Sequence, residues 1–248
     1  LTVDRTSKPE DGQFLRDVDL FKDLDPTGLD RVTRLARQRR VPADSFLIHQ
    51  GDPASHLYVL LSGRLKLTQV TVEGQQVLLR YALPGEAFAI LAVLSDMLFP
   101  TSVQAVEDSL VAAWDKDSMQ KLMLEYPQVA LRAMGILARH TREFQDRIRE
   151  LSTERVERRI ARALVRLARQ TGRKIKEGIL LDLPLSRQDL AELTGTTLYT
   201  VSRTLSQWES QGLIRSGREK IVILFPHGLV TIAEDLPPGL ELPDPFEE

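Results

Sequence analysis

The chain has 248 residues, 42% hydrophobic and 27% charged, no cysteine, and a formal net charge of −2. That length accommodates two compact domains with the composition of a globular protein, and the absence of cysteine excludes disulfides, thiolate zinc sites and cysteine-ligated iron–sulfur clusters. No apolar run approaches the roughly 20 residues a membrane helix needs, and the polar start, Leu1 to Arg16, lacks a signal-peptide pattern, so a cytoplasmic location and no membrane partner are expected.

The net charge hides an asymmetry. Residues 155–220 carry 14 Lys and Arg against 7 Asp and Glu, whereas residues 233–248 carry 6 acids and no base. A basic segment inside a near-neutral chain is what nucleic-acid binding predicts. A solvated helix face with arginines alternating with glutamates gives the same count.

In chain order, residues 1–22 read as a loose lead-in. Leu29 to Arg39 carries apolar residues at 29, 32 and 35 and predicts a short amphipathic helix. Short apolar runs follow: Phe46–Ile48, Leu57–Leu61, Leu65–Leu67, Val77–Leu83 and Leu110–Trp114. They are separated by the turn signals Gly51-Asp52-Pro53, Ser62-Gly63, Glu73-Gly74 and Pro84-Gly85. This rhythm predicts a small β-barrel or roll. From about Pro127 to Leu151 the residues Met134, Leu137, Thr141, Phe144, Ile148 and Leu151 recur at heptad spacing, flanked by charge. That pattern predicts a long helix with a dimer seam; one helix packed on its own domain would show the same stripe. A second helix is expected over Val156–Gln170, ended by Gly172, then a strand over Ile179–Leu183.

The segment from Leu185 to Leu205 carries the most specific pattern. Ser186 can cap a helix, with Asp189 three residues on. Leu190 and Leu193 face inward, small Ala191 permits a close crossing, and Gly195 supplies a turn. Thr196 or Thr197 can cap a second helix, Thr197–Gln211, buried through Val201 and Leu205. Leu198, Tyr199, Ser202 and Arg203 then point outward. A hairpin from Leu213 to Phe225 reads as a wing. In such a helix-turn-helix the second helix enters the major groove. Arg203 suits bidentate contact to guanine O6 and N7. Arg187, Thr197 and Thr200 suit phosphate contacts at helix N-termini, and Tyr199 a thymine methyl or a phosphate.

At these residues the chain resembles the CRP/FNR family. The resemblance runs through Ile48-His49-Gln50-Gly51-Asp52, Leu57 to Leu67 and Pro84-Gly85-Glu86, and then through Leu185 to Ala191 and Thr200 to Leu205. It implies an α+β protein: a cyclic-nucleotide-binding-type β-roll, a long dimerisation helix and a C-terminal winged helix-turn-helix. The implied boundaries are a lead-in at 1–22, an effector-sensing roll at 23–126, the dimerisation helix at 127–154, the DNA-binding domain at 155–232 and an acidic tail at 233–248. The implied function is allosteric transcription regulation by a homodimer on a near-palindromic operator of double-stranded DNA, with RNA polymerase as a further partner and a hinge near Leu151–Arg155.

Departures from the family pattern bear on the effector. Ile90 stands where cyclic-AMP-binding members carry a ribose-binding Glu, Pro100 where they carry a phosphate-binding Arg, and Phe144 where they place a small hydroxyl residue. An unpaired buried phosphate is expensive, so cyclic AMP is not the expected effector. An apolar pocket from Phe88, Ile90, Leu91, Leu94, Phe99, Leu137, Thr141 and Phe144 is expected instead. The stretch Phe99 to Ala105 looks like the denitrification branch, which implies haem and nitric oxide as candidates. Of the four histidines, His49, His56, His140 and His227, none has a recognised metal spacing, and His140, beside the seam, is the first candidate for a haem ligand. Arg64 and Lys66 read as strand surface. No motif supports an enzyme. The alternatives are an effector-independent regulator of this fold and a sensor or interaction module without DNA binding.

Overall fold

The computed structural model describes residues 14–95, 97–217 and 219–237. It has the expected α+β architecture and divides into two compact units, with the boundary between Glu143 and Phe144.

The first unit begins with a 3-10 turn, Phe14–Asp17, then α1 (Pro26–Leu35), β1 (Arg37–Val41), β2 (Phe46–Ile48), β3 (His56–Ser62), β4 (Leu65–Val70), β5 (Gln76–Ala82), β6 (Ala87–Phe88), α2 (Leu91–Leu94), β7 (Ser102–Ala105), β8 (Ser109–Asp115) and α3 (Lys116–Glu125). The unit boundary falls inside the long helix α4 (Pro127–Thr153). The strands form two antiparallel sheets, ordered β1-β8-β3-β6 and β2-β7-β4-β5. The expected roll is therefore present.

Strand pleating explains why β3 and β8 read as unbroken apolar runs. Tyr58, Leu60, Val111 and Ala113 face a core shared with Leu47, Ile48, Phe88, Phe99 and Val103. Leu57, Val59, Ala112 and Trp114 alternate to the opposite face and meet Val32, Met119, Leu122, Val129, Ala133 and Ile136. A strand covered on both sides has no polar face to show. Trp114 donates from Nε1 to the Val32 carbonyl at 2.9 Å, which satisfies its buried polar atom.

Three expectations are corrected here. The lead-in is not loose over its described part: Leu15, Val18, Leu20 and Phe21 are buried in the helix-covered core. Residues 1–13 lie outside the described residues. The first helix starts at Pro26 rather than Leu29, because Asp25 accepts from the Gly28 amide at 2.7 Å and Pro26 takes the first helical position. It stops at Leu35, and Arg37–Val41 is a strand paired with β8 rather than helix.

The second unit continues with α5 (Val156–Thr171), β9 (Gly172–Ile175), β10 (Gly178–Leu181), α6 (Arg187–Thr194), α7 (Leu198–Ser210), β11 (Ile214–Gly217), β12 (Lys220–Ile223) and α8 (Pro226–Glu234). Its sheet has the order β11-β12-β10-β9. Gly172 ends α5, but with ordinary extended φ of −69°. A Cβ there would lie 2.2 Å from the Ala168 carbonyl oxygen, so the glycine serves close approach rather than a left-handed turn. The tail expected from 233 begins later: α8 runs to Glu234 and Ala233 is buried. Residues 238–248 lie outside the described residues.

Candidate nucleic-acid interface

The helix-turn-helix is built by local chemistry that the sequence already carries. Ser186 Oγ accepts from the Asp189 amide at 2.9 Å, and Asp189 Oδ2 accepts from the Ser186 amide at 3.2 Å. This reciprocal capping box fixes where α6 begins. Gly195 ends α6 in the left-handed conformation, with φ 61° and ψ 48°. Thr197 then caps α7, accepting from the Thr200 amide at 3.2 Å.

Burial orients α7. Val201, Leu205 and Trp208 are fully buried, and Trp208 Nε1 donates to Glu157 of α5 at 3.2 Å. Their spacing leaves one helical face outward. On it Tyr199 is 75% exposed and Leu198 47%. Thr197 and Arg203 are exposed too, while Ser202 and Thr200 are half-buried. Arg203 makes no hydrogen bond or ion pair with any described residue, so its five donors face outward. Thr197 and Thr200 already hydrogen-bond each other through their hydroxyls at 3.0 Å. Arg187 is exposed and donates to Ser216 Oγ at 3.2 Å, which places it against β11 of the hairpin. The Ser216 amide donates to Glu209 Oε1 at 2.6 Å, tying that hairpin to the last turn of α7.

Residues that the sequence did not single out hold the α6–α7 turn. Arg159 donates from Nε to the Thr194 carbonyl at 3.0 Å and from Nη2 to the Gly195 carbonyl at 3.2 Å. Arg147 donates to the Leu193 carbonyl. These carbonyls end a helix and have no intrahelical partner, so cations are favourable there. Burial pushes the Arg147 guanidinium down to about 10, with Arg166 adding to the depression and Glu150 opposing it. Backbone carbonyls leave no mark in a sequence, and nothing distinguished these arginines from their neighbours.

Arginines surround Glu154 in the segment Leu151–Arg155, where the hinge is expected. Glu154, its side chain 4% exposed, lies 3.2 Å from Arg162, 3.7 Å from Arg158 and 3.9 Å from Arg149. Leu151, expected in the dimer seam, has Cδ2 only 2.7 Å from where a Cβ on Gly195 would lie, so it also packs against the turn.

Comparison with known proteins agrees with this geometry. Residues 38–126 match the cyclic nucleotide-binding domain and residues 158–232 the Crp-like helix-turn-helix domain. The chain is 31% identical to the cyclic AMP receptor protein of Thermus thermophilus, over 80% of this chain and 88% of that one. The chain belongs to the CRP/FNR family of transcription regulators. The regulator is also 27% identical to the transcriptional activator protein FnrA of Stutzerimonas stutzeri, over 86% of this chain and 85% of the relative. The structure of FixK2 from Bradyrhizobium japonicum matches with a TM-score of 0.70 at 25% identity, covering 79% of this regulator and 96% of FixK2. Family membership makes the chain a DNA-binding transcription factor and not an enzyme.

The expected apolar pocket is not assembled as read from the sequence. Phe88 and Phe99 fill the core between the sheets, while Ile90 fills the helix-covered core, with Leu137 packed against it. Leu91, Leu94, Thr141 and Phe144 are exposed. The strands' alternation sends neighbouring apolar residues to opposite cores, which a sequence stretch does not reveal. His140 is half-buried and neighbours Arg80. Desolvation, then Arg80 and Arg139, push its pKa down to about 4. Arg80 itself is ion-paired with Glu86 at 2.5 Å. These residues do not fit a haem: Phe88, Phe99 and Ile90 are divided between two separate cores while Leu91, Leu94 and Phe144 stay exposed, and His140 lies in the field of Arg80 and Arg139. No group of three or more potential metal ligands occurs among the described residues. No helix among them is long and apolar enough to cross a membrane.

Proposed function

We propose that this regulator binds a near-palindromic operator as a homodimer and reads bases through Arg203. The observation that carries the reading is the outward guanidinium of Arg203, unpartnered among the described residues, on the helix that the fold aims away from its core. Leu198, Tyr199 and Ser202 border it on the same face, and Arg187, Thr197 and Thr200 set the register on the phosphates.

The dimer seam runs along residues 127–154. Met134, Phe144, Ile148 and Leu151 are 55%, 47%, 65% and 44% exposed in the single chain, and Leu137 and Thr141 complete the heptad. Exposed apolar side chains at that spacing are buried by a second parallel helix. The effector domain spans 23–126 and the DNA-binding domain 155–232. An effector other than cyclic AMP controls the pair, since Ile90 is core filling and Pro100 is exposed where a ribose carboxylate and a phosphate-binding cation are needed. Cytoplasmic action with RNA polymerase completes the reading.

In vitro selection of duplex DNA from a random pool tests it. The reading requires recovered sites with two symmetric half-sites about 10–10.5 base pairs apart, or a multiple of that spacing. Recovery of single, unsymmetric half-sites contradicts it, as does an Ile148→Glu variant that stays dimeric by light scattering.

A further inference from the structure

At one end of the roll the space between the two sheets opens as a cleft of about 350 Å³, and its lining is not that of a core. β1 is an edge strand of its sheet. Its register pairs Arg37 with Ala113 and Arg39 with Val111, and Tyr58 on β3 is paired with the other side of Ala113. Arg37, Ala113 and Tyr58 therefore form one row across three neighbouring strands, on the face turned toward the inter-sheet core. Ala113 is small, so the row has a gap at its centre. Leu47, Ile48 and Phe99 close the floor of the cleft.

Its charge is unbalanced. Neither Arg37 nor Arg39 lies within ion-pair distance of a carboxylate among the described residues. Two guanidiniums face one lining carboxylate, Asp52, which accepts from the His49 amide at 3.1 Å, while Asp115 nearby accepts from the Ser118 amide at 2.9 Å. Arg39 and Tyr58 both line the cleft, and the Arg39 charge acts on the Tyr58 hydroxyl. His56 borders the same space, with Nδ1 2.8 Å from Ser55 Oγ. Inward charges also keep an edge strand from pairing with another chain, but that role does not need Phe99, Tyr58 and His56 lining the same space.

We propose that this cleft is a binding site for a small organic phosphate, with the phosphoryl oxygens held by Arg37 and Arg39 and an apolar or aromatic body lying against Tyr58 and Phe99. Paired guanidiniums match phosphate oxygens bidentately, and the volume suits a ligand of modest size. Its lining residues belong to the first unit, and those assigned to DNA to the second.

Isothermal titration calorimetry of the full chain with phenyl phosphate tests this. One saturable site per chain is expected, with at least tenfold weaker binding of inorganic phosphate, which has no ring, and of benzoate, which carries a single negative charge. The doubly substituted variant R37Q/R39Q, altered only at exposed positions, should fold as judged by circular dichroism and lose at least tenfold in affinity. R203A should bind phenyl phosphate unchanged. Absence of saturable binding overturns the proposal, as does affinity that R37Q/R39Q leaves intact or that inorganic phosphate or benzoate matches.

Discussion

Glu150, with 5% of its side chain exposed, meets Arg166 at 2.5 Å and so joins the last turns of α4 to α5. Arg147 sits in the field of both and donates to the carbonyl that ends α6. The last turns of α4 are thereby bonded to the turn between α6 and α7. Replacing Glu150 by Gln removes the counter-charge of two arginines. The expected loss is about 1–3 kcal/mol in urea unfolding, the range for a buried polar group deprived of its partner. Arg34→Ala, which breaks an exposed pair with Asp30, should change stability by less than about 1 kcal/mol. Equal effects of the two substitutions would show that the Glu150–Arg166 pair is not structural.

Gly195→Ala probes the turn itself. Left-handed φ is unfavourable for alanine by about 1–2 kcal/mol, and the new Cβ would press on Leu151 at 2.7 Å. The variant should lose at least that stability and bind DNA more weakly, because Leu151 and the carbonyls held by Arg159 shift together. A variant with wild-type melting temperature would place the turn in a different conformation.

His140 gives the fold a pH dependence of known sign. Its folded pKa is depressed from 6.5 to about 4, first by desolvation and then by Arg80 and Arg139. The unfolded chain therefore binds the proton more readily between those values. Stability from the neutral imidazole is complete above pH 6.5 and is lost as pH falls toward 4. His140→Gln should flatten that part of the stability–pH curve while leaving neutral-pH stability within about 1 kcal/mol. A curve of unchanged steepness between pH 6.5 and 4 would mean that His140 is already solvated.

The recognition unit was largely legible in the sequence, because its determinants are local. Ser186 with Asp189, Gly195 and Thr197 each act within a few residues of where they sit, and the helices start and stop there. The roll was legible as a rhythm of apolar runs and turns, but not in its faces. Nothing along Leu57–Leu61 says that Tyr58 and Val59 enter different cores, so Phe88 and Ile90 were placed in one pocket when they fill two. β1 was hidden because an arginine-rich edge strand resembles a charged helix end. The burial of Leu15, Val18 and Phe21 was missed because their partners, such as Trp114, lie far along the chain. The arginine clamps on Leu193, Thr194 and Gly195 use backbone acceptors, which no side-chain pattern announces.

The central claim is that Arg203 reads a base, and fluorescence anisotropy with a selected operator tests it most directly. Arg203→Ala should keep its fold and its dimer, lose about 1–3 kcal/mol per half-site, and tolerate substitution at one base pair that the wild type rejects. Wild-type affinity together with wild-type discrimination at every position would contradict the account.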